Sequence, residues 1–158
     1  VKLRTAAYPC CRAHDLFDQP ATYAMVIKRS LADEIYWFNW TTECSSDGSA
    51  TIQVARLGDD AMFCRVYKPT TFGKARRSRG MLSRSDWSLV EDAVVAADFW
   101  MLDEQGERPG MTLGGTDWYL AGRRRRDYHY ITRWSPHGTL WELGRLLFDL
   151  AGLEAIRL

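Results

Sequence analysis

No apolar run in these 158 residues approaches the roughly 20 that a membrane-spanning helix needs. The first residues carry no signal-peptide core. A dominant charge is missing too. The 21 basic and 20 acidic side chains leave a net charge of +1, which gives no bulk attraction to nucleic acid or to an anionic membrane. There is no G-x-S-x-G, no P-loop, no G-x-G-x-x-G after a strand and no H-E-x-x-H. An enzyme needs none of these, but without them an enzymatic reading has less to stand on. No internal repeat is found. The chain opens on Val1 rather than Met, so the reading leaves room for an upstream signal segment. The compartment stays open, with the cytoplasm favoured. The four cysteines, Cys10, Cys11, Cys44 and Cys64, do not decide the redox environment. Cys44 and Cys64 could pair across neighbouring strands, which spacing alone does not settle.

Aromatic residues are what the chain has in plenty: seven Trp, seven Tyr and six Phe. They bury much area per residue, so a stable core is within reach of one domain over residues 1–158, with an irregular segment at 1–20. The aromatics concentrate in DWYLAGRRRRDYHYITRWSP, residues 117–136. Two runs rich in aromatic and β-branched residues flank four arginines, the pattern of a β-hairpin with a charged tip. A four-residue loop over Arg123, Arg124, Arg125 and Arg126 would pair Gly122 with Asp127, Leu120 with His129 and Trp118 with Ile131. Strand alternation then puts Trp118, Leu120, His129 and Ile131 on one face, the expected core. Asp117, Tyr119, Tyr128, Tyr130 and Thr132 share the other. The arginines repel one another, so the tip is expected to be solvated and mobile.

Elsewhere the pattern is of strands first and helices later. Residues 22–29, 35–42, 51–57 and 62–67 are β-prone. In the second of these Tyr36, Phe38 and Trp40 face one way and Ile35, Trp37 and Asn39 the other. A turn is expected at residues 45–49, around Asp47-Gly48. Residues 68–81, basic and carrying Gly73 and Gly80, read as an exposed loop. A helix should begin after Ser83 as N-cap, with Asp86 as a short-armed capping-box partner and Leu82 and Trp87 as the hydrophobic staple. Trp87, Val90, Val94 and Ala97 form its apolar face. Residues 103–116 are glycine-rich and read as a loop. A second helix should follow Ser135-Pro136-His137-Gly138, with Thr139 and Glu142 as a capping box, Leu143, Leu146, Leu147 and Leu150 as its stripe, and Gly152 as its stop. This order predicts an α+β fold: an antiparallel β-sheet of about five or six strands with two main helices packed on one face.

The pieces LSRSDW, ADFWML, TDWYLAG, YHYITRWSP and LGRLLFDLAGL, within residues 82–153, resemble a family of uncharacterised bacterial domains. The RWSP turn and its helix are the most specific part. The resemblance implies no activity and carries over no catalytic residue. That family more often has DG-x-x-W before the first hairpin strand, where this chain has Gly114, Gly115, Thr116, Asp117 and Trp118.

Each candidate site has a plainer reading beside it. Cys10, Cys11, His14 and Asp15 could bind zinc or support a nucleophile, but no second ligand pair accompanies them and an ordinary terminal segment is favoured. Asp117 and His129 could do acid–base work, but they fall on opposite faces, so a satisfied histidine is favoured. Arg133 is expected to snorkel or to pair with a carboxylate. The arginine tip and the basic residues of 74–84 could meet phosphates, yet charge runs are usually solvated surface. Trp134 reads as a wedge between hairpin and final helix. The favoured reading is a non-catalytic protein-binding domain with no cofactor, metal or membrane span; one concrete version is an immunity-type protein that neutralises a toxin. Its partner-binding residues would be Tyr119, Tyr128, Tyr130, Arg124 and Arg125, because tyrosine offers contact area at low entropy cost. The rivals are a small enzyme using the His129 region and a nucleic-acid binder using the arginine tip. A pocket at His129 would favour the first and a continuous basic stripe the second. A tyrosine patch beside acidic residues would favour a protein partner. Partner identity and oligomeric state are not legible.

Overall fold

The computed structural model describes residues 30–42, 49–59, 61–69, 75–106 and 115–153. The expected features at residues 22–29 and 45–48, the turn at Asp47-Gly48 among them, and at Cys10, Cys11, His14, Asp15 and Cys44 lie outside these residues. Six antiparallel strands form one sheet: β1 (Glu34–Thr42), β2 (Ser49–Leu57), β3 (Ala61–Pro69), β4 (Ala75–Met81), β5 (Thr116–Arg124) and β6 (Asp127–Trp134). Their order is β4-β3-β2-β1-β5-β6. The first four strands make a meander, and the late hairpin adds to its free β1 edge. Among the described residues, two helices complete the α+β fold, α1 (Arg84–Ala96) and α2 (Thr139–Leu150).

Alternation decides what each side of the sheet does. Tyr36, Phe38, Ile52, Val54, Met62, Cys64, Trp118, Leu120 and Ile131 join Trp87, Val90 and Val94 of α1 and Leu143, Leu147 and Phe148 of α2 in the main core. The intervening positions Ile35, Trp37, Ala55 and Ala121 form a second, smaller cluster with Ala32. Phe63, Tyr119, Tyr128 and Tyr130 pack against it, half-buried. The sheet therefore has a helix side and an aromatic far side.

Both helices sit where the apolar stripes put them. Ser83 caps α1, accepting from the Asp86 N–H at 3.1 Å while Asp86 accepts from the Ser83 N–H at 2.9 Å. Leu82 and Trp87 are both buried beside this cap, as a staple requires. The start of α2 differs from expectation. Its N-cap is Gly138, at φ 67, and no side chain caps it, so Thr139 and Glu142 do not form a capping box. Thr139 lies one position too far inside, in the first turn, where its own backbone is already helical. The stop is as expected: the Gly152 N–H donates to Asp149 O at 3.0 Å and the Leu153 N–H to Phe148 O at 3.1 Å, with Gly152 at φ 65. Gly144 lets α2 lie directly on the sheet, because a Cβ there would come within 2.2 Å of the Trp118 ring.

Residues 68–81 are not a loop throughout. β3 runs to Pro69, and Ala75–Met81 is an edge strand paired with it. Its charge and its Gly80 disguised it, since an edge strand tolerates what a central strand cannot.

Candidate functional site

The hairpin turn is tighter than a four-residue loop. Arg124 pairs with Asp127, leaving only Arg125 and Arg126 between the strands, and Arg125 takes the positive φ of 55 that so short a turn demands. The register moves accordingly: Gly122 faces His129, Leu120 faces Ile131 and Trp118 faces Arg133. The shift is by two residues, so every side chain keeps the face that alternation assigned to it.

Three of the four arginines are solvated, as expected, and Arg123 is the exception. Arg123 is half-buried on the far side and reaches back to the segment before β1. Its guanidinium donates to Ser30 O at 2.9 Å, to Ala32 O and to Arg125 O at 3.0 Å. Arg124 points to the helix side, where its guanidinium lies 5.0 Å from the centre of the Trp100 ring. Arg124, Arg125 and Arg126 are all exposed, and the Arg125 N–H is held by Asp33 O at 3.2 Å.

The three tyrosines are brought together on the far side. Tyr119 and Tyr130 stack with ring centres 5.9 Å apart, and Tyr128 lies 6.3 Å from Tyr130. The Tyr119 and Tyr128 hydroxyls are 3.3 Å apart. The Tyr130 hydroxyl donates to Glu104 Oε2 at 2.9 Å. Burial raises the pKa of Tyr128, and the bond to Glu104 raises that of Tyr130, so both stay neutral hydroxyls at ordinary pH. Of the five expected contact residues, the tyrosines thus share one platform, Arg125 stands at the turn, and Arg124 is on the other side of the sheet.

The segment 99–106, of which the sequence predicts residues 103–106 to be loop, ties this platform down. After α1, Asp98 turns the chain at φ 51 into a short 3-10 turn, Phe99–Met101. Phe99 meets the His129 ring edge-on at 5.2 Å on the helix side. Gly122 makes room for it, since a Cβ there would be 2.8 Å from Phe99. The chain then rounds the β6 edge. The Thr132 N–H donates to Glu104 O at 2.8 Å, and the Gly106 N–H to Thr132 O at 3.1 Å. Arg133 clamps the same strap, donating to Asp103 O at 2.6 Å and to Thr132 O at 2.7 Å. It therefore binds carbonyls rather than a carboxylate. Burial lowers its pKa, and nearby Asp103 opposes that. The strap runs from His129 on the helix side to Tyr130 on the far side. Its apolar start, Phe99 and Trp100, is the one part of it that stands out in the sequence.

A buried polar group lies at the same end of the sheet. The Tyr36 hydroxyl donates to Glu34 Oε1 at 2.5 Å, and Arg56 reaches Glu34 Oε2 at 3.5 Å. Burial and then Glu34 raise the Tyr36 pKa well beyond its ordinary value, so it serves as a fixed donor. In register, Arg56, Glu34, Arg124 and Asp127 form one row of alternating charge across four strands. His129 is half-buried beside Phe99 and Trp100, and its buried Nε2 has no hydrogen-bond partner among the described residues. Asp117 lies on the opposite face and does not meet it. Cys64 is a buried free thiol, its pKa pushed up to about 11 by burial, which suits packing and not nucleophilic chemistry.

No group of three or more metal-ligating side chains occurs among the described residues, and no helix there is long and apolar enough to cross a membrane. Comparison with models of known families and with curated proteins finds no match to this chain.

Proposed function

We propose that this domain works by binding a protein partner through the tyrosine platform of its hairpin, and that an immunity-type protein masking a toxin is a concrete form of that role. The observation that carries the reading is the state of Tyr119, Tyr128 and Tyr130. They are pre-stacked and hydrogen-bonded, yet only half-buried, on the side of the sheet away from both helices. Such rings present a rigid amphipathic surface with little entropy left to lose, the property of interface hot spots. Glu104 beside Tyr130 adds an acidic element, and Arg125 and Arg126 add a basic rim.

The nucleic-acid alternative is weakened by topology. The basic residues of β4 and the arginine turn are four strand spacings apart, about 19 Å, at opposite parts of the sheet. A catalytic alternative is favoured by one observation, the Nε2 of His129, which has no hydrogen-bond partner among the described residues and whose ring shares Phe99 and Trp100 as neighbours with Tyr36. If that nitrogen does chemistry, His129→Gln abolishes a turnover that Tyr130→Ala leaves intact.

For the binding reading, the test is calorimetry with the partner captured from the native host. Tyr130→Ala should weaken binding by about 2 kcal/mol or more while the urea midpoint stays close to that of the parent. A large drop in midpoint with unchanged affinity would assign the platform to the fold instead.

A further inference from the structure

One side chain sets the charge at the strap end of the tyrosine platform. Glu104 is exposed, and its Oε2 accepts from the Tyr130 hydroxyl. A carboxylate offers about four lone-pair sites, of which Tyr130 takes one. No basic group neutralises it: among the described residues the ion pairs are those of Arg56 with Glu34 and with Asp59. Arg133 lies on the same strap but commits its guanidinium to the carbonyls of Asp103 and Thr132, at 2.6 and 2.7 Å. Asp103, the neighbour of Glu104, is exposed as well.

The rings beside Glu104 supply the other half of a cation site. The planes of Tyr119 and Tyr128 lie 28° and 36° from that of Tyr130, so the three rings form a row of similar tilt. The face of an aromatic ring is its negative side and attracts a cation placed over it. Ring and carboxylate together suit a guanidinium, which is planar, stacks on aromatic faces and bonds a carboxylate as a fork. Charge along the row has a direction too. Register sets Tyr128 opposite Arg123 beside the basic turn, whereas Gln105 of the strap bridges to Thr132 at the other end. A basic group is therefore repelled at the turn and attracted at the strap. We propose that the platform reads an arginine of its protein partner, packed against the Tyr130 ring and bonded to Glu104. This rests on the platform reading and names the chemistry that the platform selects. An acidic or phosphorylated segment is the poorer occupant of this end, because it sets its charge against Glu104.

The probe is the peptide acetyl-Ala-Arg-Ala-amide, titrated into the millimolar range against the full, isotope-labelled chain and read by amide chemical shifts. Control peptides carry citrulline, which is neutral and nearly isosteric, or glutamate in place of the arginine. At low salt the arginine peptide should shift the amides of Glu104, Tyr130 and Thr132 in a saturable way. Citrulline should weaken binding by about tenfold or more, the worth of a charged hydrogen bond, and the glutamate peptide should leave those amides unmoved. Glu104→Gln should weaken the arginine peptide by the same factor. Its amide oxygen still accepts from the Tyr130 hydroxyl and the backbone bonds of residue 104 are untouched, so the fold is kept. No saturable shift with the arginine peptide, equal binding of the citrulline peptide, or parental binding by Glu104→Gln would overturn the proposal. Photo-crosslinking from position 130 in the native host separates it from the platform reading. Glu104→Lys should abolish the adduct. An adduct that this change leaves undiminished keeps the platform and removes its arginine; no adduct from position 130 in the parent removes the platform and this contact with it.

Discussion

Arg123 and Arg125 stand two positions apart in one charge run and do different work. Arg123 holds the segment before β1 through its carbonyls, whereas Arg125 is spent on a turn and faces water. Arg123→Ser should therefore destabilise by about 1–3 kcal/mol in urea unfolding, since charged hydrogen bonds to carbonyls are lost. Arg126→Ser should stay within about 0.5 kcal/mol, as exposed loop charges do. Equal effects would refute the clamp. Gly144 gives a test of opposite sign to propensity. Alanine normally improves an exposed helix interior by about 1 kcal/mol. Here the added methyl meets Trp118, so Gly144→Ala should cost about 1–3 kcal/mol by overpacking. Cys64 should resist alkylation in the folded protein at mildly alkaline pH, because burial keeps its thiol protonated, and react once urea unfolds the chain.

At the scale of elements, α2 and the hairpin share the main core with β1, β2, β3 and α1. Leu147 is fully buried in the cluster that contains Trp118 and Ile131, so Leu147→Ala should cost about 2–5 kcal/mol. A loss below about 0.5 kcal/mol would contradict that packing. The cap of α1 should show a pH signature. The bonds from Ser83 hold the Asp86 carboxyl below its ordinary pKa of 3.8. A carboxyl depressed in the folded state stabilises above its unfolded pKa, and that contribution fades as pH falls through the folded value. Ser83→Ala should thus cost about 1 kcal/mol near neutrality and less in acid, with solvent screening keeping the effect small. The elements that sequence revealed share a cause. The faces of β1, β5 and β6 were legible because a period of two survives even a two-residue error in register. The α1 cap was legible because it is local. β4 was hidden by a composition that edges and loops share, and the α2 start was misplaced by one residue because a Thr-x-x-Glu spacing does not say which residue is still non-helical.

On the scale of the whole molecule, one sheet separates two environments, and the 99–106 strap joins them around the β6 edge. Neither the strap nor the reach of Arg123 could be read from sequence. Each depends on contacts between segments more than twenty residues apart that carry no spacing signal. The same geometry makes the tyrosine platform rigid before any partner arrives. Site-specific photo-crosslinking in the native host tests that role most directly, with a benzophenone amino acid at position 130 and, as control, at the exposed Leu89 of α1. The account predicts a discrete protein adduct from position 130 and none from position 89. Adducts from neither position, or the same adducts from both, would contradict it.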